Sequence, residues 1–117
     1  MSDSQKNFYK KLLGLKGEFA AVNFLKKSGY RLIKRNYKTP FGEADIVMEK
    51  DGFTVFVEVK TRSSTAFGEP REAVGLKKRQ KYYDIANYYM SIEGEKNISF
   101  AVVEVFRGKI NLIENAF

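Results

Sequence analysis

Residues 42–60 read GEADIVMEKDGFTVFVEVK, and this stretch decides the fold. Two runs of alternating apolar residues, 42–48 and 53–60, flank the pair Asp51-Gly52. Asp-Gly between two such runs is the strongest short-range signal for a β-hairpin with a two-residue turn. The sequence therefore predicts an antiparallel hairpin formed by residues 43–49 and 53–60.

A two-residue turn fixes which side chains face each other across this hairpin. The apolar face contains three pairs: Ala44 with Val59, Ile46 with Val57, and Met48 with Val55. The other face places Asp45 opposite Glu58, Glu43 opposite Lys60, and Val47 opposite Phe56. A slip by one residue would move carboxylates onto the apolar face, so the pattern supports this register.

Asp45 and Glu58 would need a neighbouring positive charge in this arrangement. Opposed side chains have Cβ atoms about 5 Å apart, and like charges placed there destabilise a sheet. Lys60 lies on the same face and is one candidate; a divalent metal ion held by both carboxylates is another. A solvated face with cross-strand ion pairs is the third interpretation, and the hairpin alone leaves all three open. The Val-rich opposite face favours a central strand that ends at Glu58 and Lys60.

The composition limits the kinds of site that the chain can build. A chain of 117 residues is long enough for one core, so we expect a single domain over residues 1–117. It contains no Cys and no His, which excludes disulfides, Cys/His zinc sites and Ser-His-Asp triads. A metal would be bound by oxygens, which favours Mg²⁺ or Mn²⁺ over zinc. No apolar run approaches the ~20 residues of a membrane span, and there is no signal-peptide pattern, so we expect a cytoplasmic protein.

The net charge of +7 is unevenly distributed. Residues 1–40 contain ten Lys/Arg and two acids, and residues 61–82 contain six Lys/Arg and two acids. Residues 41–60 between them contain five acids and two bases. An acidic centre flanked by basic segments suits a metal-dependent enzyme that acts on a polyanion such as nucleic acid.

The remaining segments predict two helices around the strands. Residues 1–28 are predicted to be helical up to Ser28-Gly29, with the part before Gly14 either extending the helix or forming a separate turn. Further strands are predicted at 30–37 (a sheet edge), 98–106 and 110–114, with a turn at 39–42 and a loop at 61–70. A second helix is predicted over about 70–92, starting near Pro70. This order indicates an α/β fold with a central mixed sheet between helices.

Each predicted helix has one charged residue on its apolar stripe. Glu18 shares a stripe with Ala21, Val22 and Leu25, so its carboxylate should point inward unless it reaches solvent at the boundary. Lys78 shares a stripe of the second helix with Tyr82, Ile85 and Tyr89. Tyr82, like the neighbouring tyrosines, is interpreted as part of the core or its rim.

These motifs together resemble the PD-(D/E)xK nuclease superfamily. The chain is similar, more closely, to the YraN-like family of small bacterial proteins, which are themselves similar to archaeal Holliday-junction resolvases. The resemblance is carried by Gly17-Glu18, Ser28-Gly29-Tyr30, Arg35-Asn36-Tyr37, Gly42-Glu43-Ala44-Asp45-Ile46, Phe56-Val57-Glu58-Val59-Lys60-Thr61-Arg62, Phe67-Gly68, Lys78 and Asn115-Ala116-Phe117. The chain departs from the pattern at Ala44, where the superfamily name has proline, and at Ser99-Phe100-Ala101, where the family usually has Arg-Phe-Asp.

The resemblance implies a three-layer α/β/α fold of the restriction-endonuclease type, with a central mixed sheet. It implies a metal-dependent endonuclease that hydrolyses phosphodiester bonds of nucleic acid, DNA above all, with branched DNA among its substrates. The catalytic residues implied are Glu18, Asp45, Glu58 and Lys60, with Asp45, Glu58 and Glu18 binding Mg²⁺ or Mn²⁺. Glu43 would be a partner of Lys60, and Lys78 would contact a phosphate or the acidic cluster.

Ten basic residues would hold the backbone of the nucleic acid: Arg31, Lys34, Arg35, Lys38, Arg62, Arg71, Lys77, Lys78, Arg79 and Lys81. Backbone contacts of this kind give affinity without sequence specificity. Similar resolvases act as homodimers, so a homodimer is expected as well. Two alternatives stay open: a non-catalytic nucleic-acid-binding module that keeps the nuclease fold, and a protein-interaction scaffold.

Overall fold

The computed structural model describes residues 2–62 and 75–117. Helix α1 spans Asp3–Lys27, and helix α2 spans Leu76–Glu93. The strands are β1 (Arg31–Thr39), β2 (Gly42–Lys50), β3 (Phe53–Arg62), β4 (Asn97–Phe106) and β5 (Lys109–Ile113). The predicted order of one helix, three strands, one helix and two strands is confirmed. No helix in the described ranges is long and apolar enough to span a membrane.

The five strands form one sheet in the order β1-β2-β3-β4-β5. β3 and β4 are parallel, and the other neighbouring pairs are antiparallel. The predicted mixed α/β architecture is therefore confirmed, and β1 lies at the edge as expected. The start of β2 and the end of β3 meet at the same end of the sheet, because these two strands run in opposite directions.

Helix α1 is continuous, and Gly14 does not interrupt it. It begins with a capping box in which Ser2 and Gln5 bond each other's backbone N–H groups, and it ends at Ser28 before Gly29, whose φ is +94°. It crosses the end of β3 very closely at Gly17. A Cβ added there would lie 2.0 Å from the Thr61 hydroxyl oxygen, so only glycine permits this approach.

The predicted hairpin of β2 and β3 is confirmed. Asp51 and Gly52 have φ values of +51° and +81°, which is the left-handed pair of a type I′ turn. The predicted pairs Ile46–Val57, Val47–Phe56 and Met48–Val55 are present. The register deduced from the apolar face is therefore correct in the body of the hairpin.

The predicted pairing was wrong at the open end of this hairpin. The ladder ends at Ile46–Val57, so the expected pairs of Asp45 with Glu58 and Ala44 with Val59 do not form. Ala44 packs in the cluster that contains Val47 and Phe56, not on the face of Ile46. The alternation of β2 is broken at Asp45, where a side-chain hydrogen bond replaces the backbone pairing.

Two predicted boundaries also need correction. Thr61 and Arg62 continue β3 and are not part of a loop, because the parallel ladder with β4 extends to Arg62 and Phe106. Helix α2 begins at Leu76, because Gly75 has the extended backbone of an N-cap. The predicted start at Pro70 and the rest of the predicted loop lie outside the described residues.

The core consists of two clusters that draw on alternate residues of the sheet. One cluster joins Ala21, Val22 and Leu25 of α1 to strand residues that include Val55 and Val57. The other joins Tyr82, Ile85 and Ala86 of α2 to strand residues that include Phe56 and Phe100. Each helix thus packs on its own set of strand side chains.

Candidate functional site

A cavity of about 420 Å³ lies where β2 begins and β3 ends. Three predicted site residues line it, each from a different element: Glu18 of α1, Asp45 of β2 and Lys60 of β3. Leu13, Gly14, Val59 and Thr61 complete the lining. The close crossing of α1 at Gly17 brings Glu18 to this end of the sheet.

Asp45 replaces a backbone pairing at the point where β2 and β3 separate. Its Oδ2 accepts a hydrogen bond from the Val59 N–H at 2.8 Å. Burial, followed by the negative charges of Glu58 and Glu18, raises the pKa of Asp45 to about 6, although the Val59 N–H opposes this. Asp45 is therefore ionised at neutral pH, although its surroundings disfavour the ionised form.

Asn36 joins two acidic side chains on the edge side of the cavity. It has a left-handed φ of +53° within β1 and follows Arg35, which pairs with Ile46, so it lies beside Asp45. With its amide nitrogen turned towards them, it donates to Glu18 Oε1 at 3.0 Å and to Glu43 Oε1 at 3.2 Å. Glu43, expected beside Lys60, has Asn36 as its partner instead. Asn tolerates left-handed backbone, so an Asn inside a strand pattern was the available signal.

Glu58 is buried and bonded on both oxygens by α2. Lys78 Nζ donates to its Oε1 at 2.6 Å, and the Tyr82 hydroxyl donates to its Oε2 at 2.5 Å. Lys78 and Tyr82 are four residues apart, so they lie on one face of the helix. Burial alone would raise the pKa of Glu58, but the bonds from Lys78 and Tyr82 outweigh it and the pKa is lowered. Tyr82 is a site residue that the sequence interpretation placed only in the core.

Lys60 and Lys78 compete for the same carboxylate oxygen. Lys60 Nζ lies 3.6 Å from Glu58 Oε1, a looser contact than that of Lys78. Burial and the neighbouring Lys78 ammonium lower the pKa of Lys60. The pKa of Lys78 is raised, because the bond to Glu58 outweighs the opposing effect of burial. Lys78 is thus the fixed counter-ion of Glu58, and Lys60 is the more weakly held cation at the cavity.

A second buried carboxylate lies one strand further on. Glu104 of β4 is fully buried beside Lys60 in the parallel register, and its Oε2 accepts a hydrogen bond from Arg62 Nε at 3.0 Å. Its Oε1 has no partner among the described residues. Sequence reasoning missed Glu104, although a Glu inside the run VVEV was a signal of a buried charge.

The predicted basic residues are divided between the two ends of the sheet. On β1, Arg35 and Lys38 pair with Ile46 and Glu43 near the cavity end, and Lys34 pairs with Val47 further along the sheet. Arg31 lies at the other end in an ion pair with Glu49 at 2.9 Å. Lys77, Lys78, Arg79 and Lys81 occupy the first two turns of α2. Arg71 lies outside the described residues. The structure therefore brings part of the predicted set, Arg62 included, to the end where the acids converge.

The chemistry of the site suits a hard divalent cation. Carboxylate oxygens of the kind found at this cavity are ligands that Mg²⁺ and Mn²⁺ prefer. The pKa of Glu18 is raised by burial and by Glu43 and Glu58, against the effect of Arg35, so a cation near Glu18 and Asp45 would relieve both. In the described residues, however, no group of three or more Asp, Glu, His or Cys side chains is arranged to hold an ion. Glu58 would have to share or release its bonds to α2 to take part.

Comparison with known proteins identifies the family. Residues 17–105 match the profile of the family described as "Uncharacterised protein family UPF0102", and the chain belongs to this family. A UPF0102 protein of Syntrophomonas wolfei is 46% identical, covering 90% of this chain and 96% of that protein. UPF0102 proteins of Caldicellulosiruptor saccharolyticus and Thermodesulfovibrio yellowstonii are 43% and 42% identical, covering 92% and 90% of this chain and 98% and 95% of those proteins. The YraN-like membership expected from the motifs is confirmed.

Proposed function

We propose that this UPF0102 protein is a metal-dependent nuclease that hydrolyses phosphodiester bonds in DNA, with branched DNA among its substrates. The observation that carries the proposal is the convergence of Glu18, Asp45 and Lys60 on one cavity at the end of β3. We further propose that the two core clusters belong to a three-layer α/β/α fold of the restriction-endonuclease type. The separate packing of α1 and α2 on alternate strand residues supports this arrangement.

The cation would be Mg²⁺ or Mn²⁺, held by Asp45 with Glu18 and Glu58. Such a cation, when bound, lowers the pKa of a coordinated water and neutralises charge on a phosphate. The strained ionisation of Asp45 favours this assignment, because a buried carboxylate beside two other acids gains most from a nearby positive charge.

The protein's own cations have separate tasks in this proposal. Lys60 lines the cavity and is held only loosely by Glu58, so its ammonium can donate to an oxygen of a bound phosphate. Lys78 and Tyr82 are positioning residues, because they fix Glu58 from α2 and do not line the cavity. Glu43 and Asn36 act together to orient Glu18.

Nucleic acid would bind chiefly through its phosphates. The basic side chains of β1 near the cavity, the first turns of α2 and Arg62 surround the acidic centre. They supply affinity that does not depend on base sequence. We propose a homodimer as the functional unit, because a two-fold axis matches a substrate made of two strands.

A second candidate function is a nucleic-acid-binding module without catalysis. One observation favours it: both oxygens of Glu58 are already bonded, by Lys78 and Tyr82. If these bonds persist when nucleic acid is bound, Glu58 and Lys78 form a structural ion pair, and the acidic centre holds no metal ion.

The test combines metal binding with cleavage. Thermal melts with and without Mn²⁺ would be recorded for the wild type, Asp45→Asn and Lys60→Ala, followed by incubation with labelled four-way junction DNA, duplex DNA and RNA. Glu49→Gln is the matched control, because Glu49 is a β2 carboxylate at the other end of the sheet, paired with Arg31.

A nuclease predicts that Mn²⁺ raises the melting temperature of the wild type and that Asp45→Asn abolishes both this rise and cleavage. Lys60→Ala should lose cleavage and keep the response to Mn²⁺. The control should behave as the wild type in both assays. If DNA binds but Mn²⁺ does not change the melting temperature and no substrate is cleaved, the nuclease proposal is rejected in favour of the binding module.

A further inference from the structure

Residues 8–19 of α1 carry an apolar stripe that the rest of the described protein leaves exposed. Phe8, Leu12, Leu15 and Phe19, here called the α1 stripe, are 69%, 41%, 44% and 56% exposed. Arg35 lies over the Phe19 ring at 4.3 Å, but more than half of Phe19 still faces outward. Four large apolar side chains exposed side by side on one helix indicate an interaction surface.

This stripe is separate from the face of α1 that packs on the sheet. Gly17, Ala21, Val22 and Leu25 form the sheet face and are buried. At about 100° per residue, the α1 stripe is centred roughly a third of a turn away from them. The stripe therefore adds a second apolar face to a helix whose first apolar face is already covered.

The spacing of the stripe suits another helix. Its members follow one another at intervals of four, three and four residues, which is the a/d spacing of a coiled-coil seam. Its core positions span about 17 Å of helix, or three turns. Two central leucines between two phenylalanines form a seam that knobs of a facing helix can fill.

The charges beside the stripe favour a second copy in the antiparallel direction. Lys11 and Glu18 flank the seam on one side, and Tyr9 and Lys16 flank it on the other. Parallel pairing would place Lys11 next to Lys16 of the second copy, which repels. Antiparallel pairing places Lys11 at the edge of the second copy's cavity, near the Glu18 carboxylate that Asn36 bonds, and Lys16 next to the Tyr9 ring of the second copy.

We propose that two copies of this protein associate through antiparallel pairing of their α1 stripes. Phe8 of one copy then faces Phe19 of the second copy, and Leu12 faces Leu15, about a two-fold axis between residues 13 and 14. The same patch meets itself, as a two-fold interface requires. The contact is shorter than a standard interface, so we expect a reversible dimer with a dissociation constant on the order of 10 μM.

The pairing would place the second copy next to the candidate site. Leu13, Gly14 and Glu18 line the cavity and lie in the same part of α1 as the stripe. Lys11 of the second copy would thus stand beside the cavity and add a cation where a phosphate would bind. The inference deepens the proposed homodimer but does not depend on catalysis, since association can be measured without substrate or metal.

The first experiment is sedimentation equilibrium of the full chain from ~1 to ~200 μM. The wild type should pass from monomer to dimer, and the double variant Leu12→Lys/Leu15→Lys should stay a monomer. Leu76→Lys is the matched control, because Leu76 is an exposed leucine (82%) on the other helix, and it should dimerise as the wild type does. Circular dichroism would verify that each variant is folded.

The second experiment determines the orientation with engineered cysteines, since the chain has none of its own. A mixture of Leu12→Cys and Leu15→Cys chains should form a disulfide-linked dimer faster than either variant alone. Faster linkage of Leu12→Cys to itself would indicate parallel pairing and overturn the proposal. A wild type that is monomeric throughout, or a dimer that survives the double lysine change, would overturn it as well. If the wild type is monomeric and the leucine changes instead weaken binding of a labelled single-stranded DNA, the stripe is a nucleic-acid surface.

Discussion

Replacing Asp45 with Asn should make the metal-free protein more stable at neutral pH. The pKa of Asp45 in the folded protein is about 6, raised from 3.8 chiefly by burial and by Glu58. The folded protein therefore holds the proton more tightly than the unfolded chain, and ionisation of Asp45 lowers stability. Asn keeps the shape of the side chain and an oxygen that can accept the Val59 N–H, but it carries no charge.

The size of the effect follows from the pKa difference. A rise of about 2 units corresponds to about 3 kcal/mol at a pH well above 6. Solvent reaches part of Asp45 and screens its charge, so we expect a gain of about 1–2 kcal/mol for Asp45→Asn at pH 7.5. For a domain of this size the gain corresponds to a rise of about 4–8 °C in melting temperature.

The assay is urea unfolding with EDTA across the pH range from ~3.5 to ~8. The stability difference should be near zero below about pH 4, grow as the pH rises towards 6, and remain constant above about pH 7. Glu49→Gln is the control, and its effect should stay within about 0.5 kcal/mol because the pair with Arg31 is exposed. If the variant is no more stable than the wild type at pH 7.5, or if the gain does not change with pH, the folded protein does not disfavour the ionised form of Asp45.

Three further perturbations test other parts of the structure. Arg62→Met should lower the free energy of unfolding, measured in urea, by about 3–5 kcal/mol, because it leaves buried Glu104 without its partner. Adding Glu104→Gln should recover part of this loss, and purely additive effects in the double variant would contradict the prediction. Gly17→Ala should lower the free energy of unfolding by about 1–3 kcal/mol, and Thr61→Ala should partly restore it. Gly14→Ala is the control and should be neutral or stabilising, because a Cβ at Gly14 meets nothing within 4 Å. Equal effects at both glycines would reject the close crossing of α1 and β3. Binding of duplex DNA should weaken with salt, with a log–log slope of about 0.9 per neutralised phosphate, and an affinity unaffected by salt would exclude phosphate contacts.

The parts of the fold that depend on neighbouring residues could be predicted from the sequence. The Asp51-Gly52 pair permits both left-handed backbone positions of the turn, and the apolar face sets the register of Ile46 and Val57. The convergence of Glu18, Asp45 and Lys60 was also predicted, from the family resemblance. These features rest on short-range patterns or on residue types that recur together.

The features that the sequence did not predict depend on side-chain contacts that no local pattern specifies. The opening of the hairpin at Asp45 follows from a side chain that competes with the ladder for the Val59 N–H, which no alternation pattern reveals. The pattern of α2 indicates that Tyr82 is buried, but not that its hydroxyl meets Glu58, because that contact depends on where the helix lies on the sheet. Continuity of α1 through Gly14 was equally undetermined, because helix propensity before that glycine is offset by the glycine itself.

The two acids of the site, Glu58 and Asp45, differ in how their charges are balanced. Glu58 cannot be buried as an anion without a partner, and Lys78 is that partner in the metal-free protein. Among the described residues no cation bonds Asp45 directly, and burial together with the charge of Glu58 raises its pKa, so the two acids differ in what they can offer a metal ion. An entering cation would gain most at Asp45 and would have to compete with Lys78 at Glu58. If the site binds a cation as proposed, its affinity for that cation depends on the position of α2, which carries both donors to Glu58. The same helix presents basic side chains proposed to contact phosphates.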